Sequence, residues 1–75
     1  MNEFNIKLDS VEKVKEFVKI TNKIPSDMDL IVGRYIIDAK SIMGVFSLDL
    51  TRSLTVRYPL KDDQFEVALN RFALN

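Results

Sequence analysis

Phe4, Ile6 and Leu8 alternate with Asn5 and Lys7, the period-two pattern of a strand that buries one face. From Ser10 the period lengthens. Val11, Val14, Phe17, Val18 and Thr21 fall three and four apart, which lays one apolar stripe along a helix running to about Lys23. Asp9 or Ser10 supplies the N-cap, and Glu12 stands in the first turn, where the helix dipole favours an anion. Pro25-Ser26 ends that segment. The apolar blocks Met28–Val32 and Tyr35–Ile37 are separated by Gly33-Arg34, the signal of a hairpin whose glycine takes the unusual backbone angle of the turn. Between Ser41 and Leu48 stand Ile42, Met43, Val45, Phe46 and Leu48, about one and a half to two helical turns with Ser41 as N-cap and more apolar residues than one face needs. Leu54–Tyr58 alternates again and stops at Pro59, as a strand does where proline removes a donor. Asp62-Asp63 then opens a last helix with a stripe of Phe65, Ala68, Leu69 and Phe72, and Arg71 lies toward its negative end.

The order is βαββαβα, and no repeat, low-complexity tract or linker divides residues 1–75, so a single domain is expected. Periodicity alone predicts an α+β fold: a four-stranded antiparallel sheet with three helices on one face and water on the other, in a ferredoxin-like or related topology.

Composition narrows the chemistry. With no histidine and no cysteine among 75 residues, the chain has no Ser-His or Cys-His nucleophile pair, no imidazole base, no thiolate or imidazole metal ligand and no disulfide. Eleven Lys plus Arg offset eleven Asp plus Glu, so there is no long-range field to gather nucleic acid or an acidic membrane. Lys15, Lys19 and Lys23 make a basic stripe that reads as a solvated helix face. Asp62, Asp63 and Glu66 lack the regularly spaced oxygens of a cation loop, and helix capping accounts for them. No metal or cofactor is expected. Acids and an amide interrupt the apolar residues at the start, unlike an export signal, and no apolar run approaches the ~20 residues of a membrane helix. A cytoplasmic protein is the expectation.

One stretch is distinctive: Ala39-Lys40-Ser41-Ile42-Met43-Gly44-Val45-Phe46-Ser47-Leu48. It resembles the second-helix signature of HPr, the small phosphocarrier of the bacterial phosphoenolpyruvate-dependent sugar phosphotransferase system. The resemblance extends in nearly gap-free register back to the first strand, and it implies the open-faced β-sandwich of that family.

In that register Ser10 stands where the family has its phosphorylated histidine, Glu12 where it has a phosphate-binding arginine, and Lys13 where it has a proline. The family site works because an imidazole takes the phosphoryl group at a helix N-terminus, where amides and a guanidinium stabilise the anion. Here the nucleophile is missing and the cation is a carboxylate, which costs on the order of several kcal/mol beside a phosphoryl group at intermediate dielectric. Histidine phosphotransfer, and with it a catalytic residue, is therefore not expected; by its position Ser10 caps the first helix.

Ser41 matches the family's regulatory serine, which in many members is phosphorylated by an ATP-dependent kinase; on position alone it is an N-cap. Ile42 and Met43 match apolar residues that protrude and dock against enzyme I, the kinase or a transcriptional regulator, with Phe46 beside them, whereas spacing alone would assign all three to the core. A thioether next to an aromatic suits a surface with several partners. Leu48 and Leu50 are expected to face inward. Asp49 replaces a usual glycine, and Asp49–Ser53 is a shorter connection than the family's, a change that alters closure entropy and leaves the apolar faces intact.

The resemblance thus implies a non-enzymatic regulatory and binding protein, similar to the catabolite-repression branch of the HPr family, with Ser41 as its switch and Ile42, Met43 and Phe46 as its contacts. Two other readings remain open on sequence: a ferredoxin-like domain binding RNA or a small ligand, and a diverged HPr relic serving as a generic interaction module.

Overall fold

A computed structural model describes residues 1–59 and 61–74. The strands are β1 (Asn2–Ile6), β2 (Asp29–Val32), β3 (Tyr35–Asp38) and β4 (Leu54–Tyr58); the helices are α1 (Val11–Thr21), α2 (Ile42–Phe46) and α3 (Asp63–Leu69), the last followed by a 3₁₀ turn at Asn70–Phe72. They form one four-stranded antiparallel sheet in the order β1-β4-β2-β3. That order displaces the ferredoxin-like alternative, in which the first and third strands are central; here they are the two edges. Among the described residues no helix is long and apolar enough to cross a membrane.

Alternation along the strands builds the core. Ile6, Leu30, Val32, Leu54, Val56 and Tyr58 are buried on the helix side, where they meet Val14, Phe17 and Val18 of α1, Val45 of α2, and Phe65 and Leu69 of α3. Phe17 meets Phe72 edge-on at 6.0 Å, and Tyr58 meets Phe65 edge-on at 5.3 Å, the geometry that aromatic quadrupoles favour. The opposite face is open and carries pairs such as Glu3 with Arg57, Asn5 with Thr55 and Ile31 with Ile36. Among the described strand residues no aromatic side chain stands on that face: Tyr58 is buried under α3, and Tyr35 pairs with Val32 on the helix side.

Each helix begins at an observed cap. The hydroxyls of Ser10 and Ser41 accept from Lys13 N and Gly44 N, both at 3.1 Å, and the Asp62 carboxylate accepts from Phe65 N at 3.0 Å. Gly33, with φ +55°, turns the β2–β3 hairpin as expected.

Several boundaries differ from the sequence reading. β1 covers Asn2–Ile6 rather than Phe4 to Leu8; Leu8 is buried, but in the loop that enters α1. α1 stops at Thr21 rather than at about Lys23, because beyond Asn22 the backbone tightens: Lys23 N and Ile24 N donate to the carbonyls three residues back, those of Ile20 and Thr21, at 3.1 Å each. Val11 is not part of the buried stripe and is 52% exposed, since the first helical residue lies beyond the core edge. Leu48 lies after α2 rather than within it.

Candidate functional site

α2 holds the residues singled out above, and what positions it is the C-terminal end of α1. The Thr21 hydroxyl, fully buried, lies 2.9 Å from the Ala39 carbonyl and 3.0 Å from that of Val18. Asn22 Nδ2 donates to the Lys40 carbonyl at 3.0 Å and to Val18 at 2.8 Å. Lys40 Nζ reaches back to the Ile24 carbonyl at 2.5 Å. These bonds fix the backbone on both sides of the peptide that leads into Ser41. They also turn the ammonium of Lys40 toward a backbone carbonyl.

From that anchored start, Ser41 caps α2 and Val45 plunges into the core, fully buried. A helical turn with Val45 inward must direct its other positions outward. Met43 is accordingly 78% exposed, and Ile42 and Phe46 are 39% exposed each. The spacing-only expectation of core residues therefore fails for all three: α2 has five residues and only one of them is needed to seal this corner. Leu48 and Leu50 pack partly buried against the core. α2 is too short to build much macrodipole, so the local stabilisation of Ser41 is its direct bond to Gly44 N–H.

Ser10 and Phe46, 36 positions apart in the chain, come together. They line one groove of about 500 Å³ with Leu8, Val11, Leu50 and Thr51. The mouth of α1 is therefore an apolar recess that continues onto the α2 surface. Electrostatically it does not suit a phosphoryl group. Asp9, on one flank, is held below its ordinary pKa by its hydrogen bond to Lys13, whose Nζ lies 2.8 Å away; Lys7 also lines the groove, so the carboxylate of Asp9 stands between two lysines. Glu12, in the first turn of α1, is exposed.

The remaining polar candidates are structural. Glu66 accepts from the Tyr58 hydroxyl at 2.7 Å, and Lys61 lies 3.7 Å from it. Burial, with the Glu66 carboxylate beside it, pushes the Tyr58 phenol up to about 12. No group of acidic side chains among the described residues could hold a metal ion. Lys15, Lys19 and Lys23 are all exposed. In the Asp49–Ser53 connection, the Asp49 carboxylate accepts from both Thr51 N, at 3.1 Å, and Thr51 Oγ1, at 2.6 Å, an Asx turn that shapes the loop. Those bonds hold Asp49 below the ordinary carboxylate range.

Sequence reasoning did not find Val11, Leu50 and Thr51 as groove residues, nor Thr21 and Asn22 as the anchor of α2. The one available signal was Val11 itself, an apolar residue immediately after an N-cap, where a helix has not yet reached its core.

Order, register and single-faced helical cover together define an HPr-like α+β domain. The fold matches the crystal structure of HPr-C-His from Thermoanaerobacter tengcongensis with a TM-score of 0.76, at 22% identity over 95% of this chain and 89% of that one. It also matches the phosphocarrier protein HPr from Bacillus anthracis str. Ames with a TM-score of 0.66, at 19% identity over 95% of this chain and 93% of that one. No family model and no curated protein matches the sequence.

Proposed function

We propose that this chain is an HPr-like regulatory binding protein of the bacterial sugar phosphotransferase system that does not itself carry phosphate on histidine. Its recognition surface is the exposed face of α2, formed by Ile42, Met43 and Phe46, and Ser41 beside them is its phosphorylation switch. The partners are proteins: HPr kinase, with enzyme I or a transcriptional regulator, in a cytoplasmic setting.

The observation that carries this reading is the outward display of three large apolar side chains next to a capping serine. The apolar area so exposed, greatest at Met43, gains nothing from burial within the chain, as expected of a contact surface. The absence of histidine from the chain and the carboxylate of Glu12 in the first turn of α1 support loss of the phosphocarrier step. A dianion added to Ser41 would stand at the edge of this apolar face and change which partner surfaces it tolerates.

Incubation with HPr kinase and ATP tests the switch: wild type is labelled and Ser41→Ala is not. Equal labelling of the two would refute Ser41. Incubation with enzyme I and phosphoenolpyruvate is expected to leave no acid-labile phosphate on the chain.

A further inference from the structure

The two edges of the sheet are not equally protected. Beside β1, the C-terminal segment closes in: Ile6 bridges to Ala73, and Lys7 N donates to the Phe72 carbonyl at 2.8 Å. β3 has no such cover among the described residues. It also carries large exposed apolar side chains, with Tyr35 at 69% and Ile36 at 56% exposure, and an open edge of that composition is a template for another strand.

Which backbone groups face the open side follows from the register. Val32 and Tyr35 close a two-residue turn, and Ala39 N donates to the Met28 carbonyl at 3.0 Å. Bonding toward β2 therefore falls on Tyr35, Ile37 and Ala39, and the alternation of an antiparallel ladder turns the N–H and C=O of Ile36 outward. The charges flanking Ile36 have opposite sign: Arg34 precedes it by two residues and Asp38 follows it by two. Neither makes an ion pair among the described residues. Asp38 lies across from Asp29 on β2; Asp29 is paired with Arg57 at 3.4 Å, which leaves Asp38 as the acid at this edge with no cation of its own among the described residues.

We propose that a second copy of this chain docks on β3, antiparallel and centred on Ile36, so that the sheet continues from one molecule into the other. Only residues of the same face oppose one another across an antiparallel pair. Centred on Ile36, the register places Ile36 against Ile36, Tyr35 against Ile37, and Arg34 against Asp38 at both ends. Centred instead on Ile37, it would place Ile36 against Asp38, an apolar side chain against an acid. Charge and side-chain type therefore select the first register, and the twofold axis uses each favourable pair twice. The contact is one short strand per copy, well below the area of a permanent dimer, so association is weak and concentration-dependent.

Sedimentation across a wide concentration range at low salt tests this. The weight-average mass of the wild type is expected to rise above the 8.7 kDa of one chain and to fall back as salt is added. Arg34→Asp and Asp38→Arg should each weaken self-association about tenfold or more, because each turns two attractive pairs into two repulsive ones. Mixed in equal amounts, the two variants should associate with each other, since every pair is then opposite in charge. Because Asp38 also accepts from Lys40 N, the Arg34→Asp result is read together with amide exchange at Ile36 in the wild type, which should slow as concentration rises. A wild type that stays at one chain mass throughout, an Arg34→Asp variant that associates as well as wild type, or a variant mixture that does not associate would overturn the proposal.

Discussion

The Thr21 hydroxyl lies 2.9 Å from the carbonyl of Ala39, eighteen residues along the chain, and both residues are fully buried. One bond thus joins the last turn of α1 to the segment that launches α2, and Asn22 repeats the tie at the surface through the Lys40 carbonyl. The display of Ile42 and Met43 depends on where that segment is held.

Replacing Thr21 by Val keeps the shape and removes the donor. A buried carbonyl left without its partner costs about 1–3 kcal/mol, so the midpoint of urea unfolding should fall correspondingly with an unchanged slope. A loss under about 0.5 kcal/mol would mean that the Ala39 carbonyl finds another donor. Asn22→Ala, at a more exposed position, is expected to cost less.

The two serine caps should separate stability from recognition. Ser10→Ala and Ser41→Ala each remove an observed cap and are expected to destabilise by about 1 kcal/mol. Ser41→Asp retains an acceptor for Gly44 N–H and should keep stability within about 0.5 kcal/mol of wild type. Any change in partner binding by Ser41→Asp then reports charge at the α2 surface rather than unfolding.

α2 should show opposite tolerances at adjacent positions. Val45→Ala empties part of the core and is expected to cost roughly 2 kcal/mol, whereas Met43→Asp, at the most exposed of the α2 residues, should leave stability within about 0.5 kcal/mol. Thermal or urea unfolding of the pair distinguishes these outcomes. A large loss for Met43→Asp would show that its side chain contributes to packing.

Much of this was legible from spacing. Alternation at Leu54–Tyr58 and the glycine between Val32 and Tyr35 located β4 and the hairpin where they are found, because a buried sheet face and a positive φ each impose a narrow residue choice. The first-strand boundary was less legible: Leu8 is as buried as Ile6 but reaches the core from a loop, and burial pattern alone does not distinguish the two. α2 was hardest. Five of its neighbouring positions are apolar, and periodicity cannot say which of them face out until the tie from Thr21 fixes the rotation of the helix. The groove joining Ser10 to Phe46 depends on tertiary approach of distant segments and leaves no local signature.

Burial of the Tyr58 phenol, with its hydrogen bond to Glu66, sets an alkaline limit on stability. The phenol rises from its ordinary 10.0 to about 12 in the folded protein, so folding favours its neutral form. That contribution is complete below pH of about 10 and is lost as pH climbs through the folded value of about 12. Urea unfolding over this range should show stability falling with pH, and Tyr58→Phe should flatten the fall. An equally steep fall in Tyr58→Phe would assign it to other groups.

The most direct test of the α2 surface is a two-dimensional amide spectrum of the isotopically labelled chain titrated with HPr kinase. Shifts and broadening concentrated at Ser41, Ile42, Met43 and Phe46, and absent in Met43→Asp, are the expected result. Perturbations confined to α3 and the open sheet face, or a wild-type response that Met43→Asp reproduces, would contradict the account.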